Sequence, residues 1–154
     1  YTNQNLNSIE AALRKKYGGV VPAHVEVRSY FSFLYSFCIR PFFSYDLRDN
    51  GLLYSPIPKV AQKTRKDSLP HYMSKRRYIY AARAAKLIQE CGFTDLVNRR
   101  LARHFDRVFV DEVQDFAAND FNFLLKLSEA KVDVLCVGDY FQHTYDTSRD
   151  GSTQ

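Results

Sequence analysis

Two apolar runs, each ending in an acidic residue and separated by one amphipathic stretch, constrain this chain more than anything else in it. The first is RVFVDE, Arg107 to Glu112. The second is VDVLCVGD, Val132 to Asp139. Their apolar centres do not alternate with polar residues, which predicts strands buried on both faces of a parallel sheet. Between them, FAANDFNFLLKL predicts a helix with Phe121, Leu124 and Leu125 facing inward. Strand, helix and strand at this spacing form a βαβ unit with parallel strands and a right-handed crossover. Open α/β sheets bind ligands at the carboxyl ends of their strands. Asp111 and Asp139 are therefore expected side by side at a ligand edge.

Upstream the pattern is mostly helical. Leu6, Ile9, Leu13 and Tyr17 are spaced as one helix face, with Asn3 or Asn5 as the cap and Gly18-Gly19 as the stop. HVEVRSY alternates and predicts a short strand. FSFLYSFCIRPFF predicts a helix ending before Pro41. From Ser44 to about Pro70, Gly51, Pro56 and Pro58 predict loop or short helices. Tyr78, Ala82, Ala85 and Ile88 mark a helix within Tyr72–Cys91, ended by Gly92. Thr94 is the expected cap of another helix, Asp95 to His104.

The chain has 154 residues, 45% hydrophobic and 25% charged, which suits a globular domain with a core. It contains no apolar run of membrane-spanning length, and its first residues do not form a signal peptide. Without an initiator methionine it reads as a piece of a longer polypeptide. Cys38, Cys91 and Cys136 lie beside apolar residues, which predicts three reduced, buried thiols. The net charge is +5, unevenly spread: Lys59 to Arg107 holds 13 Lys or Arg against 4 Asp or Glu. That basic middle suits a polyanion partner such as nucleic acid; a solvated helical surface is the plainer alternative.

A strand that runs into Asp-Glu at the mouth of a parallel sheet has a known chemical use. The Asp sits near Mg²⁺, usually through water, because the ion keeps much of its hydration shell. The neighbouring Glu can orient and deprotonate an attacking water. A capped turn would account for the same residues.

Two motifs in order narrow the choice. VFVDEVQDF followed by VLCVGDYFQHTYD resembles motifs II and III of the UvrD/Rep-like superfamily 1 helicases. Asp111, Glu112, Gln114 and Asp115 match Asp-Glu-x-Gln-Asp. Val137, Gly138, Asp139, Gln142 and Tyr145 match Val-Gly-Asp-x-x-Gln-x-x-Tyr. YTNQN resembles motif Ia, with Tyr1, Thr2 and Asn3 on its positions. RSYFSF resembles the following Thr-x-His-Ser-Phe motif, keeping Ser29, Ser32 and Phe33, with Phe31 where the family has His.

The resemblance implies an α/β fold: a partial RecA-like (P-loop NTPase) parallel sheet flanked by helices, with a mostly helical insertion. Residues 1–43 and 106–154 would belong to motor domain 1A, and 44–105 to a 1B-like insertion. It implies an ATP-dependent DNA helicase or translocase with ATP and Mg²⁺ as cofactors. Asp111 would hold the metal, Glu112 would activate water, and Gln142 would sense the γ-phosphate. Gln114 and Asp139 would belong to the nucleotide site. Tyr1, Thr2, Asn3, Ser29 and Tyr145 would meet single-stranded DNA, where aromatic stacking is tolerant of sequence. Arg76, Arg77 and Arg100, with Lys75, Arg99 and Arg103 near them, are expected to meet phosphates of single-stranded or partly duplex DNA.

The chain departs from the pattern in two places. Motif III continues in the family into Trp-Arg-Gly, whereas this chain has no Trp and reads YDTSRDG, with Thr147 near that position. Tyr140, Phe141 or Tyr145 could substitute. It also carries no Gly-x-x-x-x-Gly-Lys-Ser/Thr phosphate loop. The resemblance puts that loop before Tyr1 and a second motor domain after Gln154, so the 154 residues alone are expected to be inactive. A cytoplasmic location and no membrane partner follow from the family. A catalytically inactive nucleic-acid or protein binding module is the alternative function.

Overall fold

In the computed structural model, which describes residues 3–116 and 118–139, the chain opens on α1 (Asn3–Lys16). Leu6, Ile9 and Leu13 form its half-buried face, and Asn5 lies inside the helix rather than at its cap. Gly18 and Gly19 end it at positive φ, with Gly19 N–H donating to Arg14 O at 2.7 Å. Only a residue without Cβ takes such a turn cheaply. Tyr17 falls beyond the helix and is exposed.

The alternating stretch 24–29 forms no strand. Alternation supplies side-chain faces but no ladder, and among the described residues no strand edge lies alongside it. Arg28 instead pairs with Glu26 and donates to Ser36 Oγ at 2.9 Å.

α2 (Tyr30–Ser32) runs directly into a π-helical turn, Phe33–Ile39, and then into α3 (Arg40–Leu47). The helical course therefore continues past Pro41. Arg40 N–H donates five residues back, to Tyr35 O. This widened winding lies directly before Pro41, whose ring and missing N–H do not fit a regular α-helical turn. Leu34, Phe37, Cys38 and Ile39 are buried along the π turn.

β1 (Leu52–Leu53), α4 (Lys59–Gln62) and α5 (Leu69–Tyr72) fill the Pro-rich stretch. β2 (Ile79–Tyr80) pairs with β1 in parallel. The helix expected from Tyr72 begins only later: a 3-10 turn at Ala81–Arg83 leads into α6 (Ala84–Glu90). A tight turn comes first. Ser74 N–H donates to Tyr78 O at 2.9 Å, and Arg77 takes φ 60°. β2 then takes Ile79 and Tyr80 into the sheet. Gly92, at φ 71°, closes α6 as expected, with Phe93 N–H donating to Ile88 O. α7 (Thr94–His104) starts at Thr94 with no side-chain cap.

β3 (Arg107–Val110) and β4 (Asp133–Cys136) pair in parallel, Phe109 opposite Leu135 and Val110 opposite Cys136. α8 (Ala118–Leu127) connects them. The βαβ unit is present, and the structure is α/β with two small parallel sheets. The helix phase and strand burial differ from expectation. α8 buries Phe123, Leu124 and Leu127, while Phe121 and Leu125 are exposed. β3 is covered on one face only, and β4 is exposed along most of its length, with only Val134 half-buried. Val108 and Val110 pack on the core, whereas Phe109 is 68% and Leu135 54% exposed. An apolar run without alternation fits cover on both faces, and the described helices cover one.

One core joins the π turn and α3, α6, α7 and α8, centred on Leu34, Phe37, Ile88, Leu101 and Phe123. Truncating a fully buried aromatic such as Phe123 to Ala costs about 3–5 kcal/mol in comparable cores. Cys38 is buried here, and burial raises its thiol pKa well above the ordinary range. Cys91 and Cys136 are free but exposed, against expectation, at the end of α6 and on the open strand β4. Among the described residues no helix is long and apolar enough to cross a membrane.

Candidate functional site

The parallel ladder carries past the ends of β3 and β4 and brings their acidic ends together. Val137 N–H donates to Val110 O at 2.8 Å, and Val113 N–H donates to Val137 O at 3.0 Å. Between these anchors the chain turns sharply. Asp111 is exposed, Glu112 takes the left-handed conformation (φ 53°, ψ 44°), and Val113–Asp115 form a 3-10 turn. A non-glycine residue in that region costs of order 1–2 kcal/mol and is held there by its surroundings.

Gln114 is the bridge. Its Nε2 donates to Glu112 Oε2, and its Oε1 accepts from Asp139 N–H at 3.1 Å. One amide thus fixes the Glu112 carboxylate and grips the start of the segment after β4. Gly138 makes this possible, because a Cβ there would press on Gln114 Oε1 and on Val113 Cγ1 at 2.8 Å. Asp111, Glu112, Gln114 and Asp139 are brought to one edge of the sheet, as the strand ends predict.

A second layer supports the turn. Phe116 N–H donates to Val113 O, and the Phe116 ring meets Tyr30 edge-on, centroids 4.6 Å apart at 87°. The Tyr30 hydroxyl donates to Asp120 Oδ1 at 2.9 Å, in the first turn of α8. Burial raises the Asp120 pKa to about 6, while the Tyr30 hydrogen bond draws it down. Neither Tyr30 nor Asp120 stood out in the sequence. Tyr30 fills a variable position of its motif, and nothing in spacing joins residues 90 apart.

Ser29 caps α2, its Oγ accepting from Ser32 N–H at 3.2 Å. Phe31 lies edge-on against Tyr54, 5.5 Å between centroids, and Tyr54 is 67% exposed. Tyr54 is a further exposed aromatic beside the Ser29–Phe33 segment, and its Pro-rich surroundings carry no motif. Asn3 opens α1. Tyr1, Thr2, Tyr140, Phe141, Gln142, Tyr145 and Thr147 lie outside the described residues.

The cationic candidates divide. Lys75 and Arg76 are exposed on the Ser74–Tyr78 turn. That turn is locked to the preceding loop: Arg77 Nε donates to Arg48 O at 2.8 Å, and Asn50 Nδ2 donates to Arg76 O at 2.9 Å. Arg100 is half-buried, its guanidinium 4.7 Å from the centre of the Phe37 ring. There it packs against the core. Arg99 and Arg103 line an open groove with Asp95, Asn98, Glu129 and Lys131.

Among the described residues no three His, Cys, Asp or Glu side chains cluster as a metal cage. The donor set instead suits an ion that keeps its waters. Mg²⁺ is commonly held by one or two carboxylates with substrate phosphates completing the shell, and exposed Asp111 fits that demand. No protein-family model matches the sequence, and no curated protein or solved structure matches it.

Proposed function

We propose that this chain belongs to an ATP-driven DNA translocase or helicase resembling the UvrD/Rep-like motors, built on a RecA-like domain with a helical insertion at about 44–105. The observation that carries the reading is the Gln114 bridge. It couples the carboxylate after one parallel strand to the backbone after the next. A simple capped turn has no need of a link between strand ends or of a left-handed Glu112.

Asp111 would hold Mg²⁺, which neutralises charge on the nucleotide phosphates when bound. Glu112 would take a proton from the attacking water, its carboxylate aimed by Gln114 Nε2. Asp139 and Gln142 would lie on the phosphate side. Ser29, with Tyr1, Thr2, Asn3 and Tyr145, would follow a single strand. Lys75, Arg76 and Arg77 would meet phosphates of single-stranded or partly duplex DNA. This reading puts further strands beside β3 and β4 within the sheet and further helices over the uncovered Phe109–Leu135 face, in a motor acting in the cytoplasm.

The test is ATP hydrolysis by the full-length parent, with and without single-stranded DNA, for wild type and Glu112→Gln. DNA-stimulated turnover is expected in the wild type. Loss of the base should lower it by roughly 10² to 10⁴ or more while sparing nucleotide binding. Binding of DNA by both proteins with turnover by neither would replace the motor with a nucleic-acid binding module.

A further inference from the structure

We propose that Tyr30 is a positioning residue for the carboxylate loop, holding Phe116 by its ring and Asp120 by its hydroxyl, so that a change at Ser29–Phe33 is felt at Gln114 and Glu112. The inference rests on the reading of Glu112 and Gln114 as the working groups of the site.

The loop has two moorings. At the β4 end, Val113 N–H is tied to Val137 O. At the other end, Phe116 follows the 3-10 turn directly and is 8% exposed, with the Tyr30 ring edge-on against it. Between them, Asp115 N–H donates to Glu112 O at 3.0 Å. A shift of Phe116 therefore reaches the left-handed Glu112 through one tight turn. Tyr30 is well placed to cause that shift, because it follows the cap Ser29 and precedes Phe31, whose ring meets exposed Tyr54. A ligand moving this segment moves Tyr30 with it.

The Tyr30–Asp120 bond gives the coupling a chemical handle. A buried carboxylate is costly, and a donor to it favours the charged form. Withdrawing the hydroxyl drives Asp120 towards its neutral form, which in turn weakens the charge-assisted bond. The ionisable groups on neighbouring elements are Lys86 and Glu90 on α6, Asp95, Arg99, Arg100, Arg103 and His104 on α7, and Asp115 in the turn. Burial and Tyr30 account for the Asp120 shift without them.

The test is an NMR titration of the 154-residue chain from acid to neutral pH, without nucleotide or DNA. In the wild type, the Asp139 backbone amide and the Gln114 side-chain amide are expected to titrate with the Asp120 carboxyl, midpoint near 6. Tyr30→Phe should move that midpoint up, since it removes a donor to the charged form. Asp120→Asn should abolish the titration at both amides. Histidines titrate in the same range, so the Asp120→Asn comparison identifies the source. Flat amide shifts in the wild type, or a titration unchanged by Asp120→Asn, would overturn the proposal. Neither arm needs ATP or DNA, so failure of the motor reading appears separately, in the hydrolysis assay.

Discussion

Gly138 and Gln114 share a space that holds only one of them with a side chain. A Cβ at 138 would meet Gln114 Oε1 more closely than real Cβ atoms approach a neighbour, with Val113 N 3.1 Å away. Gly138→Ala is therefore expected to destabilise the protein by about 1–3 kcal/mol, the usual range for overpacking. Adding Gln114→Ala should restore part of that stability and none of the hydrolysis. Denaturant unfolding of the single and double variants reads the coupling.

Glu112 separates stability from activity. Its left-handed backbone suits glycine better than glutamate. Glu112→Gly is expected to leave the fold as stable as wild type or more so, within about 1 kcal/mol, because relief of strain opposes the greater freedom of the unfolded chain. On the proposed motor reading, ATP hydrolysis should be lost as well. A large loss of stability instead would mean that the Gln114–Glu112 bond carries more than the strain removes.

Asp120 gives a pH dependence of definite sign. Its folded pKa, about 6, lies above the ordinary 3.8. The native state then holds this proton more tightly than the unfolded chain. The group's contribution favours folding below about pH 4 and is lost as pH rises through about 6. Asp120→Asn should flatten this part of the curve and gain roughly 1–3 kcal/mol at pH 7 relative to wild type. Urea unfolding of both proteins at pH 4.5 and pH 7 checks it.

The basic residues should sort into two kinds. Lys75→Ala with Arg76→Ala removes two exposed charges. It should weaken binding to a single-stranded oligonucleotide evenly across sequences and lower the salt slope by about 1.4. Arg100→Ala removes a guanidinium seated on Phe37. Its expected effect is a stability loss of about 1 kcal/mol with little change in slope. Fluorescence anisotropy at several salt concentrations, beside thermal melts, distinguishes them.

The open sheet face should make the chain self-associate. Phe109 and Leu135 are paired neighbours on it, and uncovered apolar strands with free edges are aggregation templates. Phe109→Ser with Leu135→Ser is expected to reduce association, measured by sedimentation velocity, without lowering the melting temperature.

What could be read in advance follows the range of the forces involved. The βαβ unit and its paired acidic ends were legible, because an apolar run into Asp111 and another into Asp139 are local signals. The α6 stop at Gly92 was legible for the same reason. The burial of Val108-Phe109-Val110 was not, since a run without alternation cannot say how many layers cover it. The phase of α8 was misread for a related cause: Phe121, Phe123, Leu124 and Leu125 offer two apolar faces, and packing against α6 selects Phe123 and Leu124. The course through Pro41 needed a π turn that no residue type announces. At the site, Asp111, Glu112, Gln114 and Asp139 came from their motifs. Tyr30 and Asp120 meet only after folding.

The parallel register of β3 and β4 also sets an order of events during folding. An antiparallel pair could zip from a hairpin, but these strands cannot meet until the intervening residues have wound into α8 and folded back. The edge that carries Glu112 and Asp139 therefore depends on a crossover of non-local contacts, with no hairpin to template it. A chain in which that crossover has not closed has no such edge to offer a ligand.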